Sequence, residues 1–191
     1  RLSWRNERNL YQRKCDGTGK IIVSIHDKNA RYPVYENSYW WSDAWSVESY
    51  GRIFYESRLF FDQFKDLYNL VPQICFQNDN GLKSVNSQYC QDFVEGKNCY
   101  FVFESGNIED SMFCNQSNGS SEIFECYNVL DSELVYESIA SRKLYNCRFV
   151  INSENCFDCD FGLDLIGCKN CFGCVNLRNK EYYFLNEKCS K

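Results

Sequence analysis

The sequence is short of the residues on which most enzymes depend. It has one histidine, His26 in "SIHD", so any Cys–His or Ser–His mechanism has to pass through that single imidazole. Its place at the end of a β-branched run is that of an ordinary strand-end histidine. GxGxxG and GxxxxGK[ST] are both missing, which removes the common sequence marks of dinucleotide and phosphate binding. No apolar run approaches the ~20 residues that a membrane helix needs. The basic N-terminus leads into no apolar stretch of the signal-peptide kind. A soluble chain with no catalytic residue, metal or cofactor is expected. It opens on Arg1 rather than methionine, which points to a segment upstream.

Cysteine, by contrast, is abundant. There are 13 in 191 residues, an odd count. A secreted disulfide framework uses an even number, so reduced thiols and a cytoplasmic setting are expected. The sequons Asn115-Gln-Ser117 and Asn118-Gly-Ser120 point the other way, but such triplets arise by chance in an Asn- and Ser-rich chain. Charge is divided unevenly. Residues 1–35 hold eight Lys and Arg against Glu7, Asp16 and Asp27, a net of +5. The whole chain carries −5, so the remainder carries −10. That split describes either a basic arm on an acidic body or a solvated helix face.

An offset of 21 residues links Phe124-Glu-Cys126, Tyr145-Asn-Cys147, Ile166-Gly-Cys168 and Glu187-Lys-Cys189. Val129, Val150 and Cys171 keep the same offset, as do Asp110, Asp131 and Asn152. Short apolar pieces broken by Asn, Asp, Ser and Gly are the grammar of strands and turns. The expected fold is mainly β: a parallel β-solenoid of about 21 residues per coil and about five coils over residues 83–191. A loop or an irregular coil is expected around residues 115–122. Cys126, Cys147, Cys168 and Cys189 would then form one buried column. Zinc held by Cys156, Cys159, Cys168 and Cys171, or disulfides between coils, are the alternatives. The spacing favours packing over either.

Residues 1–82 do not repeat and are expected to form an N-terminal α+β capping domain. "SWRNERNLYQR" (3–13) reads as a short helix and "KCDGTGKIIVSI" as a hairpin. The aromatic cluster "YWWSDAW" (39–45) reads as core, with a ligand-stacking platform as the sharper alternative. Residues 57–71 place Phe60, Phe61, Phe64, Leu67, Tyr68 and Val71 at helical spacing before Pro72. This helix is expected to cap the first coil.

The functional expectation is a non-catalytic binding or scaffold protein. Arg1, Arg5, Arg8 and Arg13, with Trp4 and Tyr11 interleaved, suit RNA, a ribonucleoprotein particle or an acidic protein surface. No recognised RNA- or DNA-binding signature accompanies them. A carbohydrate-active solenoid using the Asp110/Asp131/Asn152 column is the rival reading, although the adjacent Ser and Gly mark that column as a turn ladder.

The stretches "WRNERNLYQRKCDGTGK" (4–20), "WWSD" (40–43), "RLFFDQFK" (58–65) and "GCKNCFGCVNLRNKEYY" (167–183) resemble an uncharacterised Cys-rich repeat family of Patescibacteria. Members of that family usually carry an N-terminal zinc ribbon just before the position matching Arg1, which is absent from this sequence. The resemblance implies a shortened member, or the ordered remainder of a longer protein. Family members carry more cysteine in the 100–150 region, at positions such as Ser111, Ser120 and Ser141 here. Such Cys/Ser exchange argues against obligate metal ligation. The resemblance implies no reaction.

Overall fold

The structure is a computed structural model that describes residues 9–79 and 81–189. The chain divides into two compact units, at residues 80 and 81.

In the first unit, β1 (Tyr11–Lys14) and β2 (Ile21–Ser24) form an antiparallel hairpin, as the sequence predicts. Its turn is closed by Cys15 N–H to Lys20 O at 2.8 Å and Gly19 N–H to Cys15 O at 2.8 Å. Gly19 sits at φ +73, where a side chain would be strained. The strand β1 replaces the end of the helix expected over 3–13; the first part of that helix lies outside the described residues. β3 (Val34–Tyr35) precedes α1 (Asn37–Trp40), and α2 (Phe60–Leu70) precedes β4 (Gln73–Ile74), which pairs in parallel with β3. Pro72 ends α2 because it cannot continue the helical hydrogen bonding. No residue of α2 is buried, so its expected apolar face is open to solvent.

Aromatic rings hold the middle of this unit. Tyr35 meets Tyr39 at 5.0 Å and Trp45 at 5.4 Å, both edge to face, and Trp45 meets Tyr50. Edge-to-face geometry is the favoured arrangement for paired rings. Trp45 Nε1 donates to Trp40 O at 2.9 Å. The rings pack on one another, but none of residues 39–45 is buried and Trp41 is half exposed, so the cluster is not the closed core that the sequence suggests.

The second unit is a parallel β-solenoid of about eight turns. Its strands begin with β5 (Gln91–Lys97), β6 (Tyr100–Glu109), β7 (Met112–Asn115) and β8 (Ser120–Phe124). They continue as β9 (Tyr127–Leu130), β10 (Glu133–Tyr136), β11 (Ile139–Arg142) and β12 (Tyr145–Arg148). β13 (Phe157–Asp160), β14 (Lys169–Phe172), β15 (Glu181–Phe184) and β16 (Glu187–Lys188) complete the series. The coil is 12 residues, not 21. Val135 stacks on Ile123 below and Cys147 above, and Cys159 stacks on Cys171. The offset of 12 holds at every parallel pairing from Val85↔Lys97 to Phe172↔Phe184.

The reason lies in a finer period of three. From Asn86 to Leu185 every third residue has φ between about +47 and +64, and from Tyr89 to Gly173 the residue after each one is buried. Each left-handed residue swings the chain through about a quarter turn, so four triplets close one coil. A left-handed conformation costs ~1–2 kcal/mol for most residues, and Asn and Asp tolerate it best. Those types accordingly precede inward residues, as in Asn146-Cys147, Asn155-Cys156, Asp158-Cys159 and Asn170-Cys171. An offset of 21 is seven triplets. It keeps the inward phase but lands in a different column, so the repeat seen in the sequence is an alias of the true one. Cys126, Cys147 and Cys168 therefore face the same interior from three different columns, and Cys189 is exposed. The loop or irregular coil expected at 115–122 is an ordinary coil of the solenoid, since Ser117 and Ser120 are inward residues in phase.

A twelve-residue coil leaves a narrow lumen, and only small or slender side chains fill it. Phe93 is accommodated because its neighbour is Gly96, where a Cβ would lie 1.9 Å from the Phe93 ring. Leu165 likewise occupies the space that a Cβ on Gly162 would need, at 2.5 Å.

Backbone groups are spent in a fixed order. The extended residue of a triplet donates forward to the coil above, as Ile139 N–H does to Val150 O at 2.9 Å. The left-handed residue donates back, as Asn152 N–H does to Ile139 O at 3.0 Å. The inward N–H remains, and side chains receive it. Ser132 Oγ donates to Leu130 O at 2.7 Å and accepts Leu144 N–H at 3.0 Å. Ser111, Ser138 and Ser153 repeat this with the inward N–H twelve residues on.

Candidate interaction surfaces

The lumen holds no free chemistry. All 13 cysteines are free thiols, and every one except Cys189 is buried. The inward thiols do what the inward hydroxyls do. Cys147 Sγ donates to Tyr145 O at 3.3 Å and lies 3.5 Å from Cys156 O. The sulfurs of Cys90, Cys156 and Cys159 accept the N–H of Val102, Cys168 and Cys171. Burial pushes the Cys90 thiol up to about 12. Hydrogen bonding with Cys159, followed by burial, pushes Cys156 up further. A thiol that stays protonated is neither nucleophile nor metal ligand. Among the described residues, no group of three or more His, Cys, Asp or Glu is arranged to hold a metal ion. The CxxC spacings at Cys156–Cys159 and Cys168–Cys171 are single triplet steps of the solenoid.

In the first unit Cys15 differs. Burial alone would raise its thiol, but hydrogen bonds from the Thr18 hydroxyl and from the N–H groups of Glu36, Thr18 and Gly17 outweigh that and lower it. The Glu36 N–H lies 3.3 Å from the sulfur. Cys75, which donates to Asn37 Oδ1 at 2.8 Å, is pushed by burial up to about 11.

His26 is structural. Its Nε2 lies 3.0 Å from Ile74 O, and its Nδ1 lies 3.0 Å from the Tyr32 hydroxyl. Nε2 donating and Nδ1 accepting satisfies both contacts in the neutral ring. Burial holds its pKa below the usual histidine value, and the Arg13 charge adds to that, against the opposing Ile74 bond.

Of the expected partner-binding residues, Arg1, Trp4, Arg5 and Arg8 lie outside the described residues. Arg13 faces inward. Its guanidinium donates to Asp27 O at 2.9 Å and Asp16 Oδ2 at 2.8 Å, with 6% of the side chain exposed. It fastens the hairpin to the loop that follows. The supposed carboxylate column also dissolves. Asp110, Asp131 and Asn152 all take left-handed positions, but at offsets that are not multiples of 12 they occupy separate columns. Asp110 instead accepts from Asn98 one coil away, at 2.6 Å. Nor is the first sequon accessible, because Asn115 is buried and its Oδ1 has no hydrogen-bond partner.

The exterior of the solenoid is built of ladders. Arg148 pairs with Asp160, Arg142 with Glu154 at 2.8 Å and Lys97 with Glu109 at 3.7 Å, each pair one coil apart. Aromatic rings climb the same way. Phe149 stacks on Phe161 with centroids 4.8 Å apart and planes 9° from parallel, and Phe101 stacks on Phe113 at 14°. Ring faces are consumed between coils, so these columns turn ring edges to solvent. That is the wrong presentation for stacking a sugar or base. The first unit carries an exposed apolar surface, part of it on the helix that the sequence assigned to capping. Ile53, Phe54, Leu59, Phe60, Phe61 and Phe64 are each more than half exposed. Helical spacing identified the face; its exposure had no sequence signal.

No helix among the described residues is long and apolar enough to cross a membrane. Compared with known proteins, the chain matches no family model and no curated protein.

Proposed function

We propose that this chain is a non-catalytic binding or scaffold protein of the cytoplasm, and that its partner engages the first unit and the basic segment before it. The observation that carries this reading is the exposed apolar surface from Ile53 to Phe64. Contiguous apolar patches of this kind mark interaction sites on folded chains. The chemistry of the described residues supports it as well: the lone histidine and the lumen thiols are engaged in holding the fold, and Glu109, Asp110, Glu154 and Asp160 are tied to neighbours one coil away. The assignment of residues 1–82 as a cap for the solenoid belongs to the same reading and rests on sequence order alone, since the first unit precedes the first coil in the chain.

RNA or a ribonucleoprotein particle is the partner that Arg1, Arg5 and Arg8 fit best, with Trp4 available for stacking. Each phosphate neutralised steepens the salt dependence of binding by almost one unit. The test is fluorescence anisotropy of labelled single-stranded RNA at ~50 mM salt, where a few phosphate contacts are measurable. Wild-type chain is expected to bind, and Arg5→Glu with Arg8→Glu to abolish binding without moving the thermal melt. Absence of binding by the wild type removes RNA and leaves an acidic protein surface as the partner.

A further inference from the structure

The loop that precedes α2 is fastened to the helix by two side chains. Gln63 Oε1 accepts Tyr55 N–H at 2.9 Å, and Gln63 Nε2 donates to Tyr55 O at 2.9 Å and to Arg58 O at 3.0 Å. A side-chain amide carries a donor and an acceptor side by side, so it holds the Tyr55 main chain as a neighbouring strand would. Further along α2, Asp66 Oδ2 accepts from Arg58 Nη2 at 2.7 Å. Beside these ties the loop and the helix bound an open cavity of about 540 Å³. That volume falls within the ~300–1,000 Å³ of small-molecule sites. Gly51, Arg52, Ile53 and Tyr55 line it from the loop, with Arg58 at the helix start. Gln63, Asp66 and Leu70 line it from α2, at the i, i+3 and i+7 spacing that sets them on one stripe of the helix.

The charges of the lining are Arg52, Arg58 and Asp66, two positive and one negative, so the wall carries +1. Arg58 and Asp66 pair with each other while 49% and 64% of their side chains stay exposed, and an exposed pair of that kind holds weakly. Arg52 is not committed to a carboxylate. Its Nη1 reaches back to Gly51 O at 2.9 Å, and among the described residues no acidic side chain pairs with it. A planar guanidinium with most of its donors free matches the two oxygens of a carboxylate. A phosphate dianion fits less well, because Asp66 stands in the same wall and repels the second charge. Ile53, Tyr55 and Leu70 supply the apolar part of the lining. We propose that this cavity binds a small monocarboxylate with an apolar body, its carboxylate on Arg52 and Arg58 and its body against Ile53, Tyr55 and Leu70. The site goes beyond the reading of the chain as a binding or scaffold protein for RNA. It uses none of Arg1, Trp4, Arg5 or Arg8, so the two readings fail separately.

The test titrates hydrocinnamate into the nitrogen-labelled full chain and follows amide shifts by nuclear magnetic resonance. Saturable shifts are expected at Gly51, Tyr55 and the Gln63 side chain. Hydrocinnamamide, the same body without the charge, is expected to bind roughly 10-fold more weakly, the loss that goes with one charge-assisted hydrogen bond. Arg52→Gln should weaken hydrocinnamate by a similar factor and leave the thermal melt in place, since the Arg52 side chain bonds only to its neighbour Gly51. Acetate, which keeps the charge and lacks the body, should bind more weakly than hydrocinnamate. Absence of saturable shifts overturns the proposal, as do equal affinities for acid and amide or an affinity that Arg52→Gln leaves unchanged. Inorganic phosphate binding more tightly than hydrocinnamate overturns the carboxylate assignment. Shifts confined to Phe60, Phe61 and Phe64 overturn the site itself, because the ligand would then lie on the open apolar face of α2.

Discussion

Replacing Ser132 separates the two roles an inward side chain plays. Its Oγ donates to Leu130 O at 2.7 Å and accepts Leu144 N–H at 3.0 Å, and the residue is 4% exposed. Ser132→Ala removes both partners while barely changing volume. Leu130 O keeps the Lys143 N–H at 2.9 Å, so the loss falls on the buried Leu144 N–H, and leaving that unsatisfied costs ~1–3 kcal/mol. Ser132→Cys keeps a donor and an acceptor at the same place, as Cys156 does elsewhere in the lumen. Its extra bulk amounts to a slightly larger third-row atom, within the ~1 kcal/mol that conservative core swaps usually cost. Urea unfolding followed by far-UV dichroism ranks the variants, and hydrogen exchange at the Leu144 amide locates the effect. Alanine is expected to be the less stable of the two and to expose that amide. Equal stability of Ala and Cys, with Leu144 still protected, would refute the claim that inward Ser and Cys serve the backbone.

Gly162→Ala is expected to destabilise the solenoid by ~1–3 kcal/mol, the cost of overpacking, since its Cβ would meet Leu165 at 2.5 Å; an unchanged melt contradicts the tight lumen. The His26 pKa lies below its unfolded value of about 6.5, so the first unit keeps its full stability above that pH and loses it as pH falls toward the folded value. Near-ultraviolet dichroism should show this loss, and His26→Gln should flatten it. In native conditions a disulfide reagent should modify Cys189 fast and the buried thiols only as the chain opens. Rapid modification of the lumen cysteines would mean that they are not sealed inside.

The parallel solenoid, the hairpin and α2 were legible because each leaves a strong local mark: β-branched runs, Gly17 and Gly19 at a turn, and Phe60, Phe64 and Leu67 at helical spacing before Pro72. The coil length was misread for a physical reason. Inward positions recur every three residues and accept Cys, Ser, Val, Ile or Leu alike, so chemical identity repeats poorly at the true offset of 12. Chance likeness among the Cys triplets was stronger at 21, another multiple of three. A signal was nevertheless present. Asn, Asp or Gly stands immediately before a small or apolar residue at Asp131-Ser132, Asn146-Cys147, Asn152-Ser153, Asp164-Leu165 and Gly173-Cys174, always in the same phase of three. The role of Arg13 was hidden because its partners are the Asp27 carbonyl and Asp16, and a charge count does not distinguish a clamped guanidinium from a free one. Exposure of the Phe60–Phe64 face depends on what the rest of the chain leaves uncovered, which periodicity cannot report.

Coil length is tested most directly by one distance. Asn86 and Asn170 are both exposed, both left-handed and 84 residues apart, so twelve-residue coils place them in one column, seven coils from each other. At ~4.8 Å per coil their backbones are ~34 Å apart. Spin labels on Asn86→Cys and Asn170→Cys, with Cys189→Ser to silence the exposed thiol, bring that separation within reach of pulsed electron resonance. A single distribution centred near ~34 Å is predicted by the coil rise. A distribution centred near ~19 Å, which four coils of 21 residues would give at the same rise, contradicts the twelve-residue coil.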